Sequence, residues 1–270
     1  MAEWLPVILG LLATGVVAGI LAGLLGVGGG IVIVPVLFWM FQHLGISPAT
    51  AMSVATATSL ATIVPTSISS IRSHHRRGNV DVELLKRWAP GIVLGVILGA
   101  VVSTRINGHW LTLMFGVIAV LVALNMLFRA KAKPLADTLP SVWGQRVLGL
   151  IVGGLSVMIG IGGGTLGVPL LTAFNVAAHR AVGTAAAFGL LIALPGVITM
   201  LVTGVSPTDA PVGTWGLVNF PGLILIVPLT VLCAPLGVAI GQRLDQAMLK
   251  KIFAVALMIT GVRMLIQVLG

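Results

Sequence analysis

The chain has 270 residues, of which 58% are hydrophobic and 8% charged, against roughly 25% charged in an ordinary soluble domain. Its mean hydropathy is +1.16, and fifteen Lys/Arg with six Asp/Glu cannot cover a water-facing globule of this size. These numbers exclude a soluble enzyme, a nucleic-acid binder and a disordered chain, and predict an all-α polytopic membrane protein.

In chain order, apolar runs bounded by charge, Gly or Pro predict ten segments: 5–25, 30–42, 49–71, 88–104, 110–128, 146–159, 164–177, 181–203, 217–240 and 248–268. A helix that crosses a bilayer needs about 20 residues, so the second, sixth and seventh are read as half-helices or arms of re-entrant hairpins. The acidic start at Glu3 and the lack of a clean cleavage pattern mark the first run as a membrane segment, not a removed signal.

Charge sets the direction. Arg72, Arg76, Arg77, Lys86 and Arg87 flank one loop, and Arg129, Lys131, Lys133 and Arg146 a second. Arg180 precedes segment eight, and Arg243, Lys250 and Lys251 flank a fourth loop. These are 13 of the 15 basic residues and lie on loops of one parity, while Arg105 and Arg263 lie on the other. The positive-inside rule makes those loops cytoplasmic and both termini external. Trp4, Trp39, Trp88, Trp110, Trp143 and Trp215 fall near the ends of apolar runs, where an amphipathic ring sits at headgroup level.

The sequence repeats itself. Gly26–Pro35 (GVGGGIVIVP) matches Gly160–Pro169 (GIGGGTLGVP) at an offset of 134, and Pro90/Pro228, Gly99/Gly237 and Arg105/Arg243 match at 138. Two membrane halves, 1–128 and 146–270, are therefore expected around a cytoplasmic linker, 129–145. Five segments per half, an odd number, make the halves inverted repeats, a hallmark of secondary transporters that hold substrate near the midplane.

The triple glycines need a reason to be in a membrane, since irregular backbone there must be buried or line a cavity. Set before a short helix, they present amide hydrogens at the positive end of its dipole, an anion site without a charged side chain. Close helix packing by small residues is the competing explanation. The first reading makes Gly28, Gly29, Gly30, Gly162, Gly163, Gly164 and Thr165 candidate substrate contacts, with the two breaks meeting mid-membrane. Segment three adds a face of hydroxyls, Ser53, Thr56, Ser59, Thr62 or Thr66, and Ser70, at three- and four-residue steps. From it Ser53 and Thr56 join the candidates, as does Thr184 of segment eight. Each such hydroxyl could instead bond its own helix four residues back; a whole face of them suggests a wet lining.

His74 and His75 are read as solvated in a basic loop, and His43, His109 and His179 as single residues at segment ends without metal-ligand spacing. Asn125 and Arg263 match at offset 138 inside segments five and ten. The acids Glu3, Asp81, Glu83, Asp137, Asp209 and Asp245 all lie in loops or at segment ends. That argues against a proton relay or sodium site built on carboxylates. One cysteine, Cys233, allows no disulfide framework or Cys-based metal site. No hydrolase, metallopeptidase or nucleotide-binding motif occurs, so the chain is expected not to be an enzyme and to need no metal or cofactor.

The paired motifs Gly26–Pro35 and Gly160–Pro169, together with the basic stretch Arg72–Asp81, resemble the TauE/SafE family of sulfite exporters and related permeases over essentially the whole chain. The resemblance implies a carrier of a small sulfur-containing anion across the bacterial inner membrane, with Gly28, Gly29, Gly30, Pro35, Gly162, Gly163, Gly164 and Pro169 as the family's motif residues. Sulfite stands first, with an organosulfonate or thiosulfate permease, or an anion channel, as alternatives. The expected partners are the anion and the bilayer, with no nucleic acid; a homodimer is allowed and not required. An inside-negative potential drives each negative charge outward by about 2.3 kcal/mol per 100 mV, so export needs no coupling ion.

Overall fold

The computed structural model describes residues 4–128, 136–242 and 246–269. Expectations that fall on Glu3, on Arg129, Lys131 and Lys133 of the linker, and on Arg243 and Asp245 lie outside the described residues. Ten helices follow in order: α1 Trp4–Leu25, α2 Gly30–His43, α3 Pro48–His75, α4 Val82–Ser103, α5 Gly108–Phe128, α6 Val142–Met158, α7 Gly164–Ala173, α8 Ala178–Thr203, α9 Phe220–Gly241 and α10 Gln246–Leu269. They correspond one to one with the predicted segments.

Six of the described helices are long and apolar enough to cross a membrane: α1, α3, α4, α5, α8 and α9. As expected, α2, α6 and α7 are short, at 14, 17 and 10 residues. The boundaries move where caps decide them. Asp81 accepts a hydrogen bond from the Leu84 amide at 3.0 Å, so α4 starts six residues before the apolar run and carries Lys86 and Arg87 on its exposed first turns. Ser141 caps α6 in the same way. Asn175, at φ 62°, ends the chain's helical course after α7. The sequence reading missed a two-residue hairpin, β1 Thr214–Trp215 with β2 Val218–Asn219, paired antiparallel. It sits on the short polar connection before α9 and is too brief to leave a pattern.

Packing is organised around α3, with 72% of its apolar window buried against 28% for α9. α1 lies along α9 and α4 along α6, while α5 pairs with α10 and α3 with α8. α3 also contacts α9 as α8 contacts α4, and α2 leans on α3 as α7 leans on α8. Exchanging each helix for the one five places later therefore leaves these packing pairs unchanged. Small residues allow the close pairs: a Cβ on Gly19 of α1 would stand 3.0 Å from Cβ of Cys233 in α9.

Candidate functional site

α1 and α2 form one arm ending in a break at Gly26–Gly29, and α6 and α7 form another ending at Gly160–Gly163. Backbone conformation requires glycine here. Gly29 caps α2 at φ 82° and Gly160 opens the second break at φ 70°, values that cost an L-residue roughly 1–2 kcal/mol. The breaks touch: a Cβ on Gly28 would lie 3.4 Å from the Gly162 Cα, and one on Gly30 would lie 3.0 Å from the Ile161 Cα. Gly164 packs against the Gly26 carbonyl and Gly163 against Phe188. Every residue from Gly26 to Gly30 and from Gly160 to Gly164 is buried.

The carbonyl of Gly160 is tied to α3, accepting from Ser59 Oγ at 2.8 Å. Thr56, 1% exposed, backs the same glycine, and its own hydroxyl has no partner among the described residues. Ser53 donates to the Ala49 carbonyl of its own helix at 3.1 Å, as Thr62 does to Ser59 and Thr66 to Thr62, both at 2.7 Å. Thr66 also meets Thr230 of α9 at 2.7 Å, and Ser69 donates to the Val231 carbonyl at 2.8 Å. The hydroxyl face of α3 is thus packed between helices. Thr184 lies near the basic end of the molecule, where its Oγ1 accepts the Asp81 amide at 3.0 Å. Asp81 also pairs with Arg180. Burial alone would raise the Asp81 pKa, but hydrogen bonds from Leu84 and Arg180 outweigh it and hold the carboxyl below its ordinary range.

Open space lies beside the breaks. A cavity of about 110 Å³ ends on Gly164 and Thr165, at the N-terminus of α7, with Val27 of the first break in its wall. Asn79, His179 and Gln242 line it toward the basic end, and Asn125 of α5 contributes further polarity. Thr165 is 2% exposed and its Oγ1 has no hydrogen-bond partner among the described residues. A buried hydroxyl without a partner is costly, and this one stands where the dipole of a ten-residue helix favours a negative ligand.

Of the ten residues singled out from sequence, Gly164 and Thr165 line this cavity. Gly28, Gly29, Gly30, Gly162, Gly163 and Thr56 form the packed support behind it, while Ser53 and Thr184 are farther along their helices. His74 differs from the sequence reading. It sits in the last turn of α3, 4% exposed, with Nε2 2.9 Å from the Gly23 carbonyl, and it lines the cavity. A carbonyl only accepts, so Nε2 carries a proton here. Continuing the hydroxyl face by four residues from Ser70 reaches His74, a signal that the basic neighbours masked. No group of three or more His, Cys, Asp or Glu among the described residues is placed to hold a metal.

A probable membrane transporter protein of Haemophilus influenzae is 31% identical over 256 residues, covering 95% of this chain and 97% of its own. One from Methanocaldococcus jannaschii is 28% identical over 95% of this chain and 94% of its own. YunE of Bacillus subtilis, another probable membrane transporter protein, is 26% identical over 95% and 97%. No solved structure matches the chain significantly. The family described as Sulfite exporter TauE/SafE matches residues 11–264, and the chain, a polytopic helical membrane protein, belongs to that family of membrane transporters.

Proposed function

We propose that the chain exports a small sulfur-containing oxyanion, sulfite first, across the inner membrane, taking it from the cytoplasm into the cavity at the N-terminus of α7. Two inverted halves, 1–128 and 146–270, rock around the joined glycine breaks. The packing pairs, unchanged when each helix is exchanged for the one five places later, support the two-half reading, and the concentration of Lys/Arg at one end supports a cytoplasmic basic end with external termini. Asn79, His179 and Gln242 in the cavity wall beside the basic end, and the close packing of the two glycine breaks, support entry of the anion from the basic end.

The observation that carries the reading is the unpartnered, buried hydroxyl of Thr165, which lines a largely apolar cavity at a helix N-terminus where Asn79, Asn125, His179 and Gln242 add polar groups. An anion there receives the helix amides and a hydroxyl without burying an opposite charge, so binding stays weak enough for release. Outward movement of the anion is favoured by the membrane potential at about 2.3 kcal/mol per charge per 100 mV.

The test is efflux from proteoliposomes loaded with sulfite, thiosulfate or sulfoacetate under an imposed potential. Saturable sulfite efflux with counterflow, reduced about tenfold in Thr165→Val and retained in Thr165→Ser, supports the reading. A sulfite rate equal to that of protein-free vesicles overturns the substrate. Non-saturating flux without counterflow overturns the carrier in favour of a channel.

A further inference from the structure

A groove of about 720 Å³ runs between α3 and α9, away from the cavity at α7. Its α3 wall follows one helical stripe, Pro65, Ile68, Ser69, Arg72 and Ser73, at steps of three and four residues, continued by Arg76 at the C-cap. The stripe changes character along its length. Pro65 and Ile68, with Val231 and Pro235 across the groove, make an apolar floor; Arg72, Arg76 and Arg77 crowd the other end. From Pro65 to His75, its last residue, α3 rises about 15 Å, the reach of a phosphate headgroup and much of an acyl chain.

The three arginines are exposed and make no ion pair among the described residues. The nearby acids are committed elsewhere, Asp81 to Arg180 and Glu83 to Lys86. Ser69, which could have competed for a headgroup, spends its hydroxyl on the Val231 carbonyl and so fixes the groove's width. Guanidinium groups match phosphate oxygens in a two-pronged geometry, and basic pockets between membrane helices suit anionic lipid headgroups. We infer that the α3–α9 groove is a binding site for an anionic phospholipid, with the phosphate on Arg72, Arg76 and Arg77 and an acyl chain along Pro65, Ile68 and Val231. A soluble oxyanion would satisfy the arginines but leave the apolar floor uncovered; a phospholipid covers both. A lipid seated there would lie along α3, the helix that carries Ser59 and Thr56 against the second glycine break.

Native mass spectrometry of the purified protein in detergent, titrated with phosphatidylglycerol or phosphatidylcholine, tests this. The wild type should retain phosphatidylglycerol at least tenfold more strongly, each arginine contributing roughly fivefold. The preference should fall to within about twofold in R72Q/R76Q/R77Q and persist in K86Q/R87Q, which removes charge at the same end outside the groove. Ile68→Trp, filling the apolar floor with all three arginines intact, should weaken retention about fivefold. Equal loss in the triple variant and the control, no preference in the wild type, or full competition by millimolar inorganic phosphate would each overturn the site. An unfolded triple variant leaves Ile68→Trp and Arg76→Gln to decide, with monodisperse elution as the folding check. Loss of lipid preference with normal sulfite efflux, or the reverse, separates this site from the proposed transport function.

Discussion

Ser59 Oγ donates to the carbonyl of Gly160 at 2.8 Å, a bond from the middle of α3 to the first residue of the second glycine break. Both groups are buried. The break therefore does not hang free in the bilayer: a carbonyl at a left-handed glycine, outside any helix ladder, is satisfied by a neighbouring helix, as the membrane interior demands.

Ser59→Ala should leave that carbonyl without its partner and lower stability by about 1 kcal/mol, within the range found for hydrogen bonds between membrane helices. Thermal unfolding in detergent measures the loss. A larger fractional loss of efflux than of folded protein would show that the bond positions the break as well as stabilising it.

Gly29→Val should insert normally but lose anion binding. The substitution forces a β-branched residue to φ 82° and brings a Cβ to 2.9 Å from the Ala18 carbonyl, so the turn between α1 and α2 must shift. Gly163→Val, whose side chain would collide with Phe188, should behave alike. Membrane-fraction yield gives insertion, and sulfite efflux gives the functional loss; normal efflux in both variants would remove the breaks from the site.

The bond between Thr66 and Thr230, 2.7 Å apart and wholly buried, should contribute a coupling energy of about 0.6–1.7 kcal/mol in a double-mutant cycle of Thr66→Val and Thr230→Val. A coupling near zero would mean that each hydroxyl gives its one proton to its own helix, Thr66 to the Thr62 carbonyl and Thr230 to the Val227 carbonyl, in place of the bond between them.

Asp81 gives the pH dependence. Its pKa is depressed in the folded protein, so its contribution is fully present above the unfolded carboxyl value of about 4 and is lost as pH falls through the lower folded value. The stability gap between wild type and Asp81→Asn should stay constant from neutral pH to about pH 5 and narrow below about pH 4. Asn still caps α4, so the helix start itself should not change. Thermal unfolding across that range measures both.

The ten segments, the three short ones among them, and the duplication of the glycine motif were legible because each depends on composition or local spacing. Ends were less legible: α4 begins at its Asp81 cap, not where the apolar run begins, because capping chemistry outranks hydropathy over a single turn. His74 was misread for a related reason. Its neighbours are basic and polar, and only the extension of α3 to His75 puts its ring against Gly23. The hydroxyl face of α3 was visible in the sequence, but whether it met water or protein depended on α8, α9 and the second break.

By itself the sequence determined that this is a helical membrane protein with a glycine motif that occurs twice, on which connections its basic residues gather, and where its helices break. Those are one-dimensional properties, set by transfer free energy and by which residues tolerate an unwound backbone. Only the tertiary structure decided that Gly28 and Gly162 meet, that Thr165 lines a cavity while Thr56 is sealed behind Gly160, and that Arg72 and Arg76 border a groove. Those outcomes rest on contacts between residues more than a hundred positions apart, and close packing, which no local pattern encodes, chooses among them.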